Sequence, residues 1–134
     1  MRVQKLDCII LVDDDNIANY VHESLIEGAN ITDQILTAEN GREAIALIEE
    51  QASASSNYLT LVFLDINMPV MNGFGFLDAY RRLEDKLPQS VIIVVLTSSL
   101  NPNDLEQTRR AGASDFLDEP LTEHKLQEVI DKHF

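Results

Sequence analysis

Apolar runs of strand length alternate with amphipathic stretches of helix length from one end of the chain to the other. The first run, from about Asp7 to Val12, continues Cys-Ile-Ile-Leu-Val and predicts a strand buried on both faces. Ile17, Tyr20, Val21, Ser24 and Leu25 then fall at helical spacing. They predict a helix from about Asn16 to Glu27, with Gly28 just past its end. Gln34 to Ala38 reads as a second strand. Asn40 caps the next helix, and Glu43 three residues later completes a capping-box pattern. That helix runs to about Gln51, with Ala44, Ile45, Leu47 and Ile48 facing inward. Ala52 to Asn57 is a small-polar loop.

The third strand spans Leu59 to Leu64, and Asn72-Gly73 opens a helix that ends near Lys86, before Pro88. Val91 to Leu96 contains no polar residue, which predicts a strand covered on both faces. Asn101-Pro102 supplies a cap and a first-turn proline for a helix reaching Ala111, and Gly112 ends it. Ser114 to Leu117 is a short fifth strand. Thr122 caps a last helix whose apolar stripe is Leu126, Val129, Ile130 and Phe134. Five βα repeats joined by helix-length crossovers predict a parallel sheet with helices on both faces. The expected fold is α/β, flavodoxin-like and doubly wound, with five strands in the order 2-1-3-4-5. The pattern shows one composition regime, so residues 1–134 are expected to form a single domain with no output domain.

Composition narrows the function classes. The formal net charge of −13 opposes binding to nucleic acid or to an anionic membrane, both of which need a positive surface. No apolar stretch is long enough to span a bilayer, and Met1 to Lys5 is followed by no signal-peptide core. Cys8 is the lone cysteine, so no intrachain disulfide can form, and its strand position suits a small core residue. A cytoplasmic protein is the simplest reading.

The chemistry gathers at strand ends. Asp13, Asp14 and Asp15 follow the first strand, and Asp65-Ile66-Asn67-Met68-Pro69 follows the apolar part of the third. In an open α/β sheet, ligands bind at the carboxyl ends of the strands. Carboxylates converging there repel one another unless a cation lies between them, and hard oxygen ligands suit Mg²⁺. Taken alone, the triple aspartate could equally be cap chemistry at a strand-to-helix junction, and Asp15 is read that way. Thr97 could be a strand-end hydroxyl, Phe116 ordinary packing, and Met68 and Met71 loop packing. His22, His124 and His133 show no metal-ligand spacing and read as surface residues.

Together with this alternation, the segment Leu64-Asp65-Ile66-Asn67-Met68-Pro69-Val70-Met71-Asn72-Gly73 resembles the receiver domain of two-component response regulators, and the likeness covers essentially the whole chain. The resemblance implies a role for each matching residue. Asp65 would accept a phosphoryl group from a phosphohistidine on a partner. Asp13 and Asp14 would hold Mg²⁺, Asp14 directly and Asp13 through water, with Asp65 and the backbone carbonyl of Asn67 completing the protein ligands. Thr97 would supply a hydroxyl to the phosphoryl group, and Phe116 would be the aromatic switch residue. The implied partners are a sensor histidine kinase or a histidine phosphotransfer protein docking over the first helix. A downstream protein target would bind the fourth helix, fifth strand and fifth helix. Such a module is no enzyme beyond accepting and hydrolysing its own phosphoryl group.

One position departs from the family pattern. Where the family carries a lysine before Pro120, this chain has Glu119. A unit charge about 4 Å from another is worth about 4 kcal/mol at an effective dielectric of 20, and the change reverses its sign. Glu119 therefore opens a second reading, a phosphorylation-independent interaction module. A third, a haloacid-dehalogenase-like phosphatase, would use the Asp13-Asp14-Asp15 run but would leave the Asp65 segment unexplained.

Overall fold

Hydrophobic strands flanked by helices assemble as the alternation predicts in the computed structural model, which describes residues 6–32, 34–50, 59–65, 73–83, 90–97, 102–118 and 121–134. In chain order the elements are β1 (Cys8–Val12), α1 (Asn16–Ala29), β2 (Ile35–Ala38), α2 (Gly41–Glu50), β3 (Leu59–Asp65), α3 (Gly73–Leu83), β4 (Ser90–Thr97), α4 (Pro102–Arg110), β5 (Asp115–Asp118) and α5 (Glu123–His133). All strand pairs are parallel, and the sheet order is β2-β1-β3-β4-β5.

Alternate residues of each central strand feed opposite layers, as the strand period of two requires. Cys8, Ile10 and Val12 of β1, with Ile93 and Val95 of β4, pack against Ala44 and Ile48 of α2 and Phe76, Leu77 and Tyr80 of α3. Ile9, Leu11, Val94 and Leu96 face the other way, towards Ile26 of α1 and Leu126, Val129 and Ile130 of α5. Because both faces are covered, the strands carry near-continuous apolar runs.

The helix ends follow local chemistry. Asp15 caps α1, its Oδ1 accepting from the N–H groups of Ile17 at 2.9 Å and Ala18 at 3.4 Å. Asn40 caps α2 by accepting from Glu43 N–H at 2.9 Å, while the Glu43 carboxylate reaches back to Glu39 N–H at 3.0 Å. Thr122 caps α5 through Lys125 N–H at 3.2 Å. Gly112, expected to end α4, does so with φ 108°, which only glycine adopts without strain.

Two expectations for α1, the Gly28 terminus and the surface position of His22, are corrected. Gly28 lies inside the helix, and the chain turns at Asn30, whose φ of 52° and ψ of 49° are left-handed. Asparagine tolerates that conformation as a helix terminator. The stripe Ile17-Tyr20-Val21 is the outer face: these side chains are 74 %, 71 % and 54 % exposed. Ser24 is also exposed, while Leu25 packs partly against the core. Buried instead are Asn19, His22 and Ile26. The Asp15 cap and the burial of Ile26 set the phase of the helix, and the more apolar stripe is left facing water. His22 is thus a core residue, and burial lowers its pKa.

Candidate functional site

The acids come together because of strand register. Val12 is paired with Leu64, so Asp13 and Asp65 are the next residues along adjacent strands β1 and β3. Asp65 ends β3 opposite Leu96, and Thr97 ends β4 one residue further on. Thr97 is paired with Asp118, the last residue of β5, so residues from three neighbouring strands reach one edge. In the described residues Asp13, Asp14 and Asp65 each offer a carboxylate oxygen, and these oxygens lie within 4.8 Å of one another. Asp14 is exposed, and Asp13 and Asp65 are half-buried.

The β1–α1 turn fixes Asp13 through its own hydrogen bonds. Its N–H donates to Ala38 O at 3.0 Å, and its Oδ1 accepts from Asp15 N–H at 2.9 Å. Asn19 Nδ2 donates to Asp13 O at 3.0 Å. Burial pushes the Asp13 carboxyl up to about 6; the Asp15 N–H opposes this, and the charges of Asp65 and Asp14 add to it. A carboxyl held above its usual range beside two further acids at a ligand-binding sheet edge marks a candidate site.

The donor set fits a hard divalent cation. Two oxygens across one Mg²⁺ lie about 4.2 Å apart, from a metal–oxygen distance near 2.1 Å. The spacing of the three carboxylates is close to that span, and a cation between them would remove the repulsion that adds to the effect of burial at Asp13. Mg²⁺ also keeps several waters, which allows one carboxylate to act through water.

The remaining site residues divide by position. Phe116 is half-buried on β5, packs against the α2–α3 side of the core, and has the Arg109 guanidinium 6.0 Å above its ring. Thr97 terminates β4, and the position of its side chain is outside the described set. Asn67 and Glu119 lie outside the described residues. His124 is a surface residue, 3.0 Å from Glu128, whereas His133 is mostly buried against Asp115 at 3.1 Å. That second pairing corrects the surface reading of His133. Sequence reasoning also missed Asn19. Its signal was a polar residue at i, i+3, i+7 with His22 and Ile26, a stripe overshadowed by the more apolar one beside it.

Comparison with known proteins shows the family. A family model described as response regulator receiver domain matches residues 9–131. The rice (Oryza sativa subsp. japonica) two-component response regulator ORR41 is 31% identical over 129 residues, covering 96% of this chain and 95% of the relative. The receiver domain of Saccharomyces cerevisiae Ssk1, solved with the histidine phosphotransfer protein Ypd1, superposes with a TM-score of 0.82. It is 26% identical, with 98% of this chain and 90% of that one covered. The receiver domain of a Pseudomonas aeruginosa sensor histidine kinase, solved with magnesium in its active-site cleft, shares the fold. Its TM-score is 0.73 at 22% identity, over 95% and 96% of the two chains.

Proposed function

We infer that this chain, which belongs to the response regulator receiver domain family and so acts in two-component phosphorelay signalling, takes its phosphoryl group on Asp65. The observation that supports this acceptor is the convergence of Asp13, Asp14 and Asp65 at the carboxyl edge of the sheet. Phosphoryl transfer asks little covalent chemistry of a protein and much positioning and charge relief.

Asp13, Asp14 and Asp65, with the backbone carbonyl of Asn67, would hold Mg²⁺. When bound, the ion supplies the positive charge that offsets the nucleophile and the phosphoryl oxygens. A carboxylate oxygen of Asp65 forms the new bond to phosphorus as the bond to the donor's imidazole nitrogen breaks. The imidazole keeps the electron pair and takes up a proton, and Asp65 is left as an acyl phosphate. Asp13 and Asp14 orient the acceptor edge, their carboxylates beside that of Asp65. Thr97, at the end of the neighbouring strand, donates a hydrogen bond from its hydroxyl to a phosphoryl oxygen. Phe116 responds from β5, and a downstream protein reads the α4, β5 and α5 face. The chemistry stops at accepting and hydrolysing this group.

The donor is a histidine kinase or a histidine phosphotransfer protein, docking on the exposed Ile17, Tyr20 and Val21 beside the acids. Exposed apolar side chains grouped on one helix face are what such a partner buries. The reading treats residues 1–134 as one receiver working in the cytoplasm; among the described residues no helix is long and apolar enough to cross a membrane.

Glu119 tunes this chemistry without abolishing it, because the acceptor and both acids beside it are intact. Incubation with a phosphorylated histidine phosphotransfer protein tests the reading: label moves to the parent chain and not to Asp65→Asn. Label retained by the variant, or absent from the parent, defeats it. Glu119→Lys should enlarge the change in backbone amide NMR shifts on phosphorylation, and equal responses would make Glu119 a bystander.

A further inference from the structure

Asn19 is 4 % exposed, on the inner face of the first turn of α1, where an aliphatic residue would serve packing better. Its Nδ2 donates to Asp13 O at 3.0 Å and to Ala38 O at 3.4 Å. Ala38 O also accepts from Asp13 N–H. One amide therefore ties the carbonyl ends of β1 and β2 together, and the Asp13 main chain is held on both its N–H and its C=O. The same turn closes on itself below: Asp15 N–H donates to the Asp13 carboxylate, and Asn19 N–H donates to Asp15 O at 3.1 Å.

The other half of the amide is wasted. Asn19 Oδ1 is buried with no hydrogen-bond partner among the described residues. An amide that spends its donor on two strand-end carbonyls and gains nothing for its buried acceptor among the described residues is explained by what the donor holds.

We propose that Asn19 is a positioning residue for the acid cluster: its amide holds the Asp13 main chain so that the Asp13 carboxylate faces Asp14 and Asp65 in the geometry a divalent cation needs. The proposal rests on the phosphoacceptor reading for its purpose, but not for its geometry. The Asn19 amide acts through Asp13 and touches no reacting atom. Partners that orient a metal ligand in this way typically change metal affinity by about 10–100-fold when removed.

Asn19→Leu keeps similar bulk while removing both hydrogen bonds and the orphaned acceptor; Asn19→Ala is the second variant if the leucine is not accommodated. Thr60→Val is the control. Thr60 Oγ1 is the other buried unpartnered side-chain atom among the described residues, and it belongs to β3 well before Asp65. Three quantities are read on the full chain: Mg²⁺ affinity by titration, hydrogen exchange of the Asp13 and Asp15 amides without metal, and the urea midpoint. Asn19→Leu should bind Mg²⁺ about tenfold more weakly and exchange those two amides about tenfold faster, with its urea midpoint equal to or above the parent's. Saturating Mg²⁺ should restore the parent's rate of phosphorylation by a small-molecule donor. Thr60→Val should leave Mg²⁺ affinity and both amides unchanged.

The proposal is overturned if the folded variant binds Mg²⁺ within about twofold of the parent with the two amides still protected. It also fails if affinity falls only in step with the urea midpoint, or if Thr60→Val weakens binding as much. A parent chain that binds no Mg²⁺ would defeat the phosphoacceptor reading instead, and metal-free amide exchange would still decide the role of Asn19.

Discussion

At the starts of the strands, Asp7 and Asp115 are absorbed by the fold, while at the strand ends Asp13, Asp14 and Asp65 face one another. Asp7 pairs with Leu59 in both directions, its N–H donating to Leu59 O at 3.1 Å and its Oδ2 accepting from Leu59 N–H at 2.7 Å. Asp115 accepts from Lys132 Nζ and lies 3.1 Å from His133 Nε2, and its Oδ1 takes its neighbour's Phe116 N–H. Burial works to raise Asp115, but the hydrogen bonds from His133, Phe116 and Lys132 outweigh it and hold the group below the usual range. Asp13 goes the other way, to about 6. The sheet thus sorts its acids. Where hydrogen bonds and a neighbouring cation outweigh burial, as at Asp115, the group is structural. At Asp13 the one backbone N–H is outweighed by burial and by the neighbouring acids, and a cation there would tip the balance back.

The sharpest break in this comparison comes from removing one acid at each end. Asp65→Asn should abolish stable phosphorylation, while Asp7→Asn should leave it unchanged; both are read by intact mass after treatment with a phosphodonor. Next in size, Asp14→Ala should weaken Mg²⁺ binding by more than about tenfold in a direct titration, since a ligand counts for at least as much as a group that merely orients one. A third contrast runs in stability. Asp7→Ala strands the Leu59 N–H and should cost about 1–2 kcal/mol in urea unfolding, with Mg²⁺ affinity untouched.

The two ends should also respond to pH with opposite signs. Asp13 titrates higher when folded than when unfolded. Its contribution is therefore favourable in acid and is lost as pH rises from the ordinary carboxylate range through about 6. In the absence of metal, Asp13→Asn should therefore stabilise the chain above pH 6. Asp115 titrates lower when folded, so its contribution is present above the unfolded range and lost as pH falls through its lower folded value. Asp115→Asn should destabilise at neutral pH. Urea midpoints across pH check both, and matching slopes would dissolve the distinction. The smallest effect belongs to the outer face of α1. Ile17→Ser should shift stability by no more than about 0.5 kcal/mol and leave small-donor phosphorylation alone, while slowing transfer from a phosphohistidine protein severalfold.

Much of this was legible in the residues. Strand runs such as Ile9 to Val12 and Val91 to Leu96 are apolar throughout because both sheet faces are covered, and with the helix-length crossovers between them this pointed to a parallel sheet. The convergence at the carboxyl edge followed from chain order and crossover handedness. The phase of α1 did not follow. Its more apolar stripe faces water, because the helix is oriented by its Asp15 cap and by Ile26, so Asn19 and His22 are inside. Periodicity counts side chains and is blind to a polar group recruited to hold a backbone carbonyl. Asp7 and Asp115 were likewise indistinguishable in sequence from the acids at the opposite end, because their partners, Leu59 and His133, are far along the chain.

The difference between the two ends rests finally on what Asp65 does. Treating the chain with acetyl phosphate, with and without Mg²⁺, and mapping the product by tandem mass spectrometry tests this directly. The predicted result is one phosphoryl group, on Asp65, formed only with the metal and absent from Asp14→Ala. No adduct, an adduct on another residue, or one that forms equally well without Mg²⁺ would contradict it.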